Sequence, residues 1–204
     1  MAECKVVSGL TSTTKENLVL DAGAFFKNYN IVSPDEGVTP ADTFDTAVAA
    51  GKLLGATKGG GSFSAVPTFR DIEVDGVRGA WKGGKSLESW EVTMGVSLVE
   101  VRSETLKDAL GVATIDSSDE TYEKITGNAC VLDTDYIDNI TWVGNISGKD
   151  ELAVIQVYNA LNTKGIEFSF EDKSEAVLEL EFVGHYDGDS TTPPFAIYYP
   201  KTVA

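Results

Sequence analysis

The most regular pattern in this chain is an alternation of apolar and polar residues between positions 89 and 98. The apolar parity consists of Trp90, Val92, Met94, Val96 and Leu98. A period of two places successive side chains on opposite faces of a β-strand. The pattern therefore predicts a strand with one buried face and one polar face, and Glu91 lies on the polar face.

A second alternating region, nearer the C-terminus, predicts an antiparallel hairpin. Apolar residues occur at 166, 168 and 170 and, after a turn at 172–174, again at 178, 180 and 182. The opposite parity of this hairpin is strongly acidic and contains Glu167, Glu171, Glu179 and Glu181. Each strand thus offers one face to a core and one to solvent.

The remaining elements favour a mainly β chain with a short flanking helix. Strand-like segments occur at 122–127, 130–145 and 151–159. A helix is predicted from Ser103 to Leu110, with Ser103 as N-cap and Gly111 as its end. We therefore expect one domain over residues 1–204, built as a β-sandwich or a barrel-like fold.

Residues 30–62 break the β pattern and predict a long loop excursion from the core. Turn-forming residues fill 33–40, and a short helix is expected between 41 and 54 with Asp42 or Thr43 as its N-cap. Three consecutive glycines at 59–61 then predict a flexible tip or hinge. Excursions of this length are usually functional or disordered.

Composition narrows the function classes. The 204 residues carry a net charge of −16, which disfavours stable binding to nucleic acid and to anionic lipid. The N-terminal residues have no continuous apolar stretch typical of a secretory signal, and no window approaches a membrane span. Without an export signal, Cys4 and Cys130 are expected to be free thiols.

One short motif suggests nucleotide chemistry. The stretch "GAWKGGKS" from Gly79 to Ser86 matches the phosphate-loop pattern letter for letter. A phosphate loop needs a buried parallel strand before it and a helix that begins at its Lys-Ser. Here an Asp75-Gly76 hairpin signal precedes the motif and the alternating strand follows it. We therefore interpret it as a glycine-rich turn between antiparallel strands and predict no nucleotide cofactor.

Metal and catalytic candidates are equally weak, and we predict no metal site and no enzymatic activity. The stretch "DTDYID" begins like a calcium loop, but Ile137 and Asp138 replace the residues that such a loop requires at positions five and six. His185 is the only histidine and is expected on a strand near a sheet edge. Paired glutamates such as Glu179 and Glu181 are expected to form a solvated acidic face.

The segment from 55 to 101, the helix "SETLKDALG" after it and the ending "GHYDGD…PFAIYYP" together resemble a major tail tube protein of a long-tailed bacteriophage. The resemblance covers most of residues 18–200. It implies a virion structural protein whose six-subunit rings stack into a hollow tube, with the subunit sheets joined into one inner barrel. It also implies synthesis in the bacterial cytoplasm and a final location in the virion tail.

The partners implied by this resemblance are other copies of the chain, the tape-measure protein, tail terminator and tail-tip proteins, and DNA in transit. We expect at least one of the two acidic sets, Glu91 or the C-terminal glutamates, to line the lumen, because an acidic channel repels phosphates. The candidate ring-stacking loop residues are Asp35, Glu36, Lys58, Gly59, Gly60 and Gly61. A closed barrel would also remove the exposed edges of long strands.

Two other functions remain open at this point. The first is a monomeric β-sandwich that binds a ligand or decorates the virion, which predicts no assembly and an aromatic ligand patch. The second is the nucleotide enzyme suggested by "GAWKGGKS", which predicts stabilisation by ATP.

Overall fold

The computed structural model describes residues 9, 11, 14–19, 22–31, 40–168, 175–188 and 190–201. Two helices, α1 (Pro40–Ala49) and α2 (Ser103–Leu110), accompany nine strands. The strands are β1 (Ala24–Lys27), β2 (Thr57–Asp71), β3 (Lys85–Leu98), β4 (Ala113–Asp116), β5 (Lys124–Gly127), β6 (Ile137–Gly144), β7 (Ala153–Asn162), β8 (Leu178–Val183) and β9 (Phe195–Tyr198). The prediction of a mainly β fold is confirmed.

Strand β7 belongs to two sheets and joins them into a sandwich. Residues 153–160 of β7 pair on one side with β6, which leads to β1, and residues 154–157 pair on the other side with β9. The last two residues of β7 pair instead with β8, which leads to β3 and β2. Asn159 lies at the change of partner with a left-handed φ of 47°. Such an irregularity bends a strand and lets it pass from one sheet to the next. Strands β4 and β5 form a separate hairpin.

The predicted apolar face of β3 forms the centre of the core. Val92, Met94, Val96 and Leu98 are buried against the apolar residues of β8 and against Ile140 and Val157 of the facing sheet. Burial of this kind is the main favourable term in folding. The alternation at 89–98 thus predicted both the strand and its buried face correctly.

Helix α1 covers the other face of the β1–β6–β7 sheet. Phe26 of β1 packs there with Val154 and with Ala47 of the helix. Gln156 is buried beneath this layer, and its amide donates to the carbonyl of Tyr29 at 2.8 Å. The short helix predicted in the excursion is therefore confirmed. It begins at Pro40, so neither Asp42 nor Thr43 is its N-cap.

The prediction of a flexible tip at the glycine run was wrong. Gly59, Gly60 and Gly61 lie in β2 instead. Thr57 pairs with Leu98 and Gly61 with Val96, so β2 uses two extra residues opposite β3. Gly59 and Gly60 take positive φ values of 87° and 76° to form this bulge, which glycine allows without strain. The long excursion thus ends at residue 56.

Helix α2 has the predicted bounds, but Arg102 occupies the N-cap position and no side chain caps the helix. Gly111 ends the helix with a φ of 72°, as predicted. An ion pair connects α2 to β1, since Lys27 lies 2.8 Å from Glu104 and 3.0 Å from Asp108. Burial raises the pKa of Asp108, although the Lys27 ammonium acts in the opposite direction.

Replacing Lys27 with Met should destabilise the fold by roughly 3 kcal/mol, because it leaves the Asp108 carboxylate buried without its cation. The pKa of Asp108 is already raised in the folded protein, so its protonation favours folding. The loss should therefore be larger at pH 8 than at pH 4, as measured by urea unfolding. Lys107→Met on the same helix is the control, and an equal loss in both variants would contradict the assignment.

The C-terminal hairpin predicted from residues 166 to 182 does not form as expected. Residues 163–168 are not in a strand, and 169–174, including Glu171, lie outside the described residues. Instead, β8 pairs with β3, and the Asn162 side chain accepts hydrogen bonds from the backbone of Lys164 and Glu181. These bonds satisfy backbone groups that would pair with a neighbouring strand in a hairpin.

Candidate functional site

The four-stranded half of the sandwich has one face in the core and one face in solvent. Cross-strand partners in an antiparallel sheet share a face. Glu181 is opposite Gly95 and Glu179 is opposite Ser97, while Glu91 lies four residues before Gly95 on the same parity of β3. The three glutamates therefore share the exposed outer face of the β7–β8–β3–β2 sheet. We call this surface the acidic face.

In the sequence analysis, Glu91 and the C-terminal glutamates were two separate candidate sets for lining the lumen. The structure places Glu91, Glu179 and Glu181 on one face of one sheet. At a rise of about 3.3 Å per residue, Glu91 is about 13 Å along the strand from the level of Glu181. Neither carboxylate forms an ion pair within the described part of the chain. They are the two carboxylates of the acidic face that form no ion pair.

Lys164 is a counter-charge that the sequence reasoning missed. It pairs with Glu179, which lowers the pKa of that carboxyl. Glu181 and Glu167 are close enough to raise the pKa of Lys164 electrostatically, after the larger effect of the Glu179 hydrogen bond. Glu167 is exposed, as predicted. Nothing in the local sequence of Lys164 distinguishes it, because Glu179 and Glu181 become its neighbours only when the end of β7 pairs with β8.

The described candidate ring-stacking residues, Lys58 and Gly59 to Gly61, lie in β2 and not in a projecting loop. Lys58 lies at the start of β2 and forms an ion pair of 2.9 Å with Glu175, just before β8. The three glycines form the bulge described above. Asp35 and Glu36 lie outside the described residues, so their predicted role stays a prediction.

The "GAWKGGKS" stretch lies between antiparallel strands, as predicted. Lys85 and Ser86 begin β3, and the Lys85 ammonium lies 2.8 Å from Asp71 of β2. A helix N-terminus, which a phosphate loop requires, is not formed there. The Asp75-Gly76 turn exists but is not a tight hairpin, because the connection spans residues 72–84 and is held by a bond from the Trp81 indole to the Ile72 carbonyl.

Other sequence candidates have structural roles. Residues 133–135 of "DTDYID" form a short 3-10 helix, and Asp135 accepts a bond from the Leu132 backbone. His185 was expected on a strand near an edge, but it lies after the end of β8 and outside any strand, and its Nδ1 donates to the Asn159 carbonyl at 3.0 Å. Cys130 is an exposed free thiol. Within the described ranges, no group of three or more potential ligands could hold a metal ion.

A prominent surface feature was not predicted. Strands β2 and β3 extend beyond β8, which pairs only with residues 93–98 of β3. We call residues 69–87 the hairpin arm. Six large apolar side chains on it are about half exposed, namely Phe69, Ile72, Val74, Val77, Trp81 and Leu87. Apolar surface of this extent marks an interaction site more often than an ordinary surface.

The amino-acid sequence contained a signal for the hairpin arm that hydrophobic periodicity alone did not reveal. Apolar residues recur at 72, 74 and 77 around a turn of Asp and Gly, where a solvated loop would be polar. The two strands that lead to this turn are longer than their only inner neighbour, β8. Because β8 is shorter, the far ends of β2 and β3 extend past it and form an arm without a covering layer.

Comparisons with known proteins leave the family open. No protein-family model matches this chain, and a search of curated proteins finds no similar one. The part of the chain that the structure describes contains no helix long and apolar enough to cross a membrane.

Proposed function

We propose that this chain is a tail tube protein of a long-tailed bacteriophage. Rings of six copies would stack into a hollow tube that houses the tape-measure protein and then conducts DNA. The observation that carries the proposal is the acidic face, because it is a broad polar surface on a sheet whose edge strand is unusually long. The virion tail is the proposed location.

The long unpaired edge of β2 supports assembly by strand pairing between the sheets of neighbouring copies. Strand β2 runs over 15 residues and ends its sheet, with β3 as its only strand partner in the described part of the chain. An unpaired edge of this length is a template for strand pairing with another chain. Pairing edge to edge in a ring removes all free edges and gives a closed barrel.

The charge of the acidic face supports a channel for DNA. If the four-stranded sheets close into a barrel with their apolar faces outward, Glu91, Glu179 and Glu181 line its lumen. Lys164 neutralises part of this charge, so like-charge repulsion in a ring is limited, and salt screens the remainder. The net acidic surface does not release counterions from DNA and therefore does not retain it.

Assembly of the purified protein tests this proposal. Concentrated protein should form rings or tubes with a central channel in negative-stain electron microscopy, and size-exclusion chromatography should show species much larger than one 21.8 kDa chain. A monomer at every concentration, in the presence and absence of phage tail components, would favour the binding or decoration module instead.

A further inference from the structure

A cleft opens between the two sheets of the sandwich, beside the glycine bulge of β2. Its volume is about 470 Å³. One row of side chains across the facing sheet forms its floor, namely Phe25, Trp142, Ile155 and Ile197. Phe63 and the three bulge glycines form the opposite wall. Ile197 and Tyr199 remain about half exposed at its mouth. The cleft is thus an apolar, concave surface that the described residues leave open.

We propose that this cleft receives the tip of the hairpin arm from a second copy of the chain. The inference rests on the proposed function, because it requires self-association. The volume of the cleft accommodates a few side chains rather than a whole two-stranded arm. Val74 and Val77 flank the Asp75-Gly76 turn at the tip, and Trp81 follows them, so these are the side chains expected to enter.

Charge complementarity favours the same occupant. The hairpin arm carries four basic residues (Arg70, Arg78, Lys82 and Lys85) and three acidic ones (Asp71, Glu73 and Asp75), a net charge of +1. The whole chain carries −16, so the remaining residues carry −17. The arm is therefore a segment of net positive charge that the acidic body of another copy attracts, whereas two bodies repel each other.

A buried carboxylate oxygen in a segment that borders the cleft supports this contact. Glu151 lies in the connection between β6 and β7, and Ile146 and Ala153 at the two ends of that connection line the cleft. The Oε2 atom of Glu151 is buried and has no hydrogen-bond partner among the described residues. A buried carboxylate oxygen without a partner is unfavourable. A basic side chain from the arm of a second copy would supply the missing donor.

The two surfaces are different, so the contact is heterologous. The arm of one copy enters the cleft of the next, which leaves one free arm and one free cleft on every pair. Such contacts continue into a ring or an open stack. The proposed contact thus differs from edge-to-edge pairing of β2, and the two can occur in the same assembly.

The test uses one variant for each surface. Val74→Asp with Val77→Asp places charges on the arm tip, and Ile197→Asp places one at the mouth of the cleft. All three positions are about half exposed, so the subunits should fold. Tyr122→Asp, at the exposed tip of the β4–β5 hairpin, is the control. Circular dichroism checks folding, and analytical ultracentrifugation at increasing concentration measures the association state.

Each surface variant alone should lose at least ten-fold in self-association, and the control should match the wild-type protein. A mixture of the two variants should form a one-to-one complex, because the intact arm of the cleft variant can enter the intact cleft of the arm variant. Failure of the mixture to form this complex, or wild-type association by either variant, would overturn the proposal.

The outcomes separate this inference from the proposed function. Tubes that form with both variants would leave the tube function standing and remove the arm-to-cleft contact. Small wild-type oligomers without a channel, dispersed by either variant, would support the contact and contradict the tube. A wild-type protein that stays monomeric at every concentration would contradict both.

Discussion

Tubes assembled from a Glu91→Lys and Glu181→Lys double variant should retain DNA that wild-type tubes release. These two carboxylates share the acidic face and form no ion pair with any described residue. Their reversal costs only the longer-range attraction between Glu181 and the exposed Lys164, so the subunit should stay folded. In a ring of six, the change replaces rings of negative charge with rings of positive charge. Lysines that neutralise phosphates release counterions, which drives binding regardless of DNA sequence.

Binding of duplex DNA to the assembled variant is the measurement. Its affinity should fall by about 10³-fold or more between about 50 and about 200 mM salt if six or more phosphates are contacted. Glu120→Lys with Glu123→Lys, on the β4–β5 hairpin, changes the net charge equally at another surface and serves as the control. Equal DNA retention by this control would assign the effect to net charge. Absence of retention by the double variant would contradict an acidic lumen.

Replacing Gly61 with Val should destabilise the subunit by about 3 kcal/mol or more. A Cβ atom at this position would lie 2.3 Å from the Gly95 carbonyl oxygen and 2.4 Å from Cζ of Phe25. The first neighbour is backbone of the paired strand, and the second is a buried core ring, so neither can move freely. The two sheets would have to separate at the glycine bulge.

Urea unfolding measures this effect, with Gly127→Val as the control. Gly127 also lies in a strand and has an ordinary φ, but a Cβ atom there would have only the Val112 carbonyl oxygen as a neighbour, at 3.8 Å. The control should lose less than about 1 kcal/mol. Equal stability of the two variants would show that the sheets yield at Gly61 and that the close approach of Phe25 is not required.

The sequence predicted those elements whose signal is local. The alternation at 89–98 was enough to predict β3 and its buried face, because side-chain direction in a strand depends only on parity. The helix from Ser103 to Leu110 was predicted with correct bounds, since Gly111 ends it through its own left-handed conformation. The strand context of "GAWKGGKS" was predicted for the same reason.

Predictions that depended on distant partners were wrong. A run of three glycines has the same local preferences in a flexible loop and in a strand bulge, and pairing of β2 with β3 decided between them. The C-terminal alternation predicted β8 correctly but gave it the wrong partner. Strand pairing is set by packing and by side-chain bonds such as those of Asn162, which sequence periodicity does not encode.

The amino-acid sequence by itself determined which residues of this protein are apolar, which are acidic and which parity of β3 and β8 is buried. Only the tertiary structure placed Glu91 on the same face as the β8 glutamates, set Lys164 close to Glu179 and Glu181 and left the hairpin arm uncovered. The physical reason is that parity is a property of one strand, whereas a shared face, an ion pair and an exposed arm arise from register between strands that are distant in the chain.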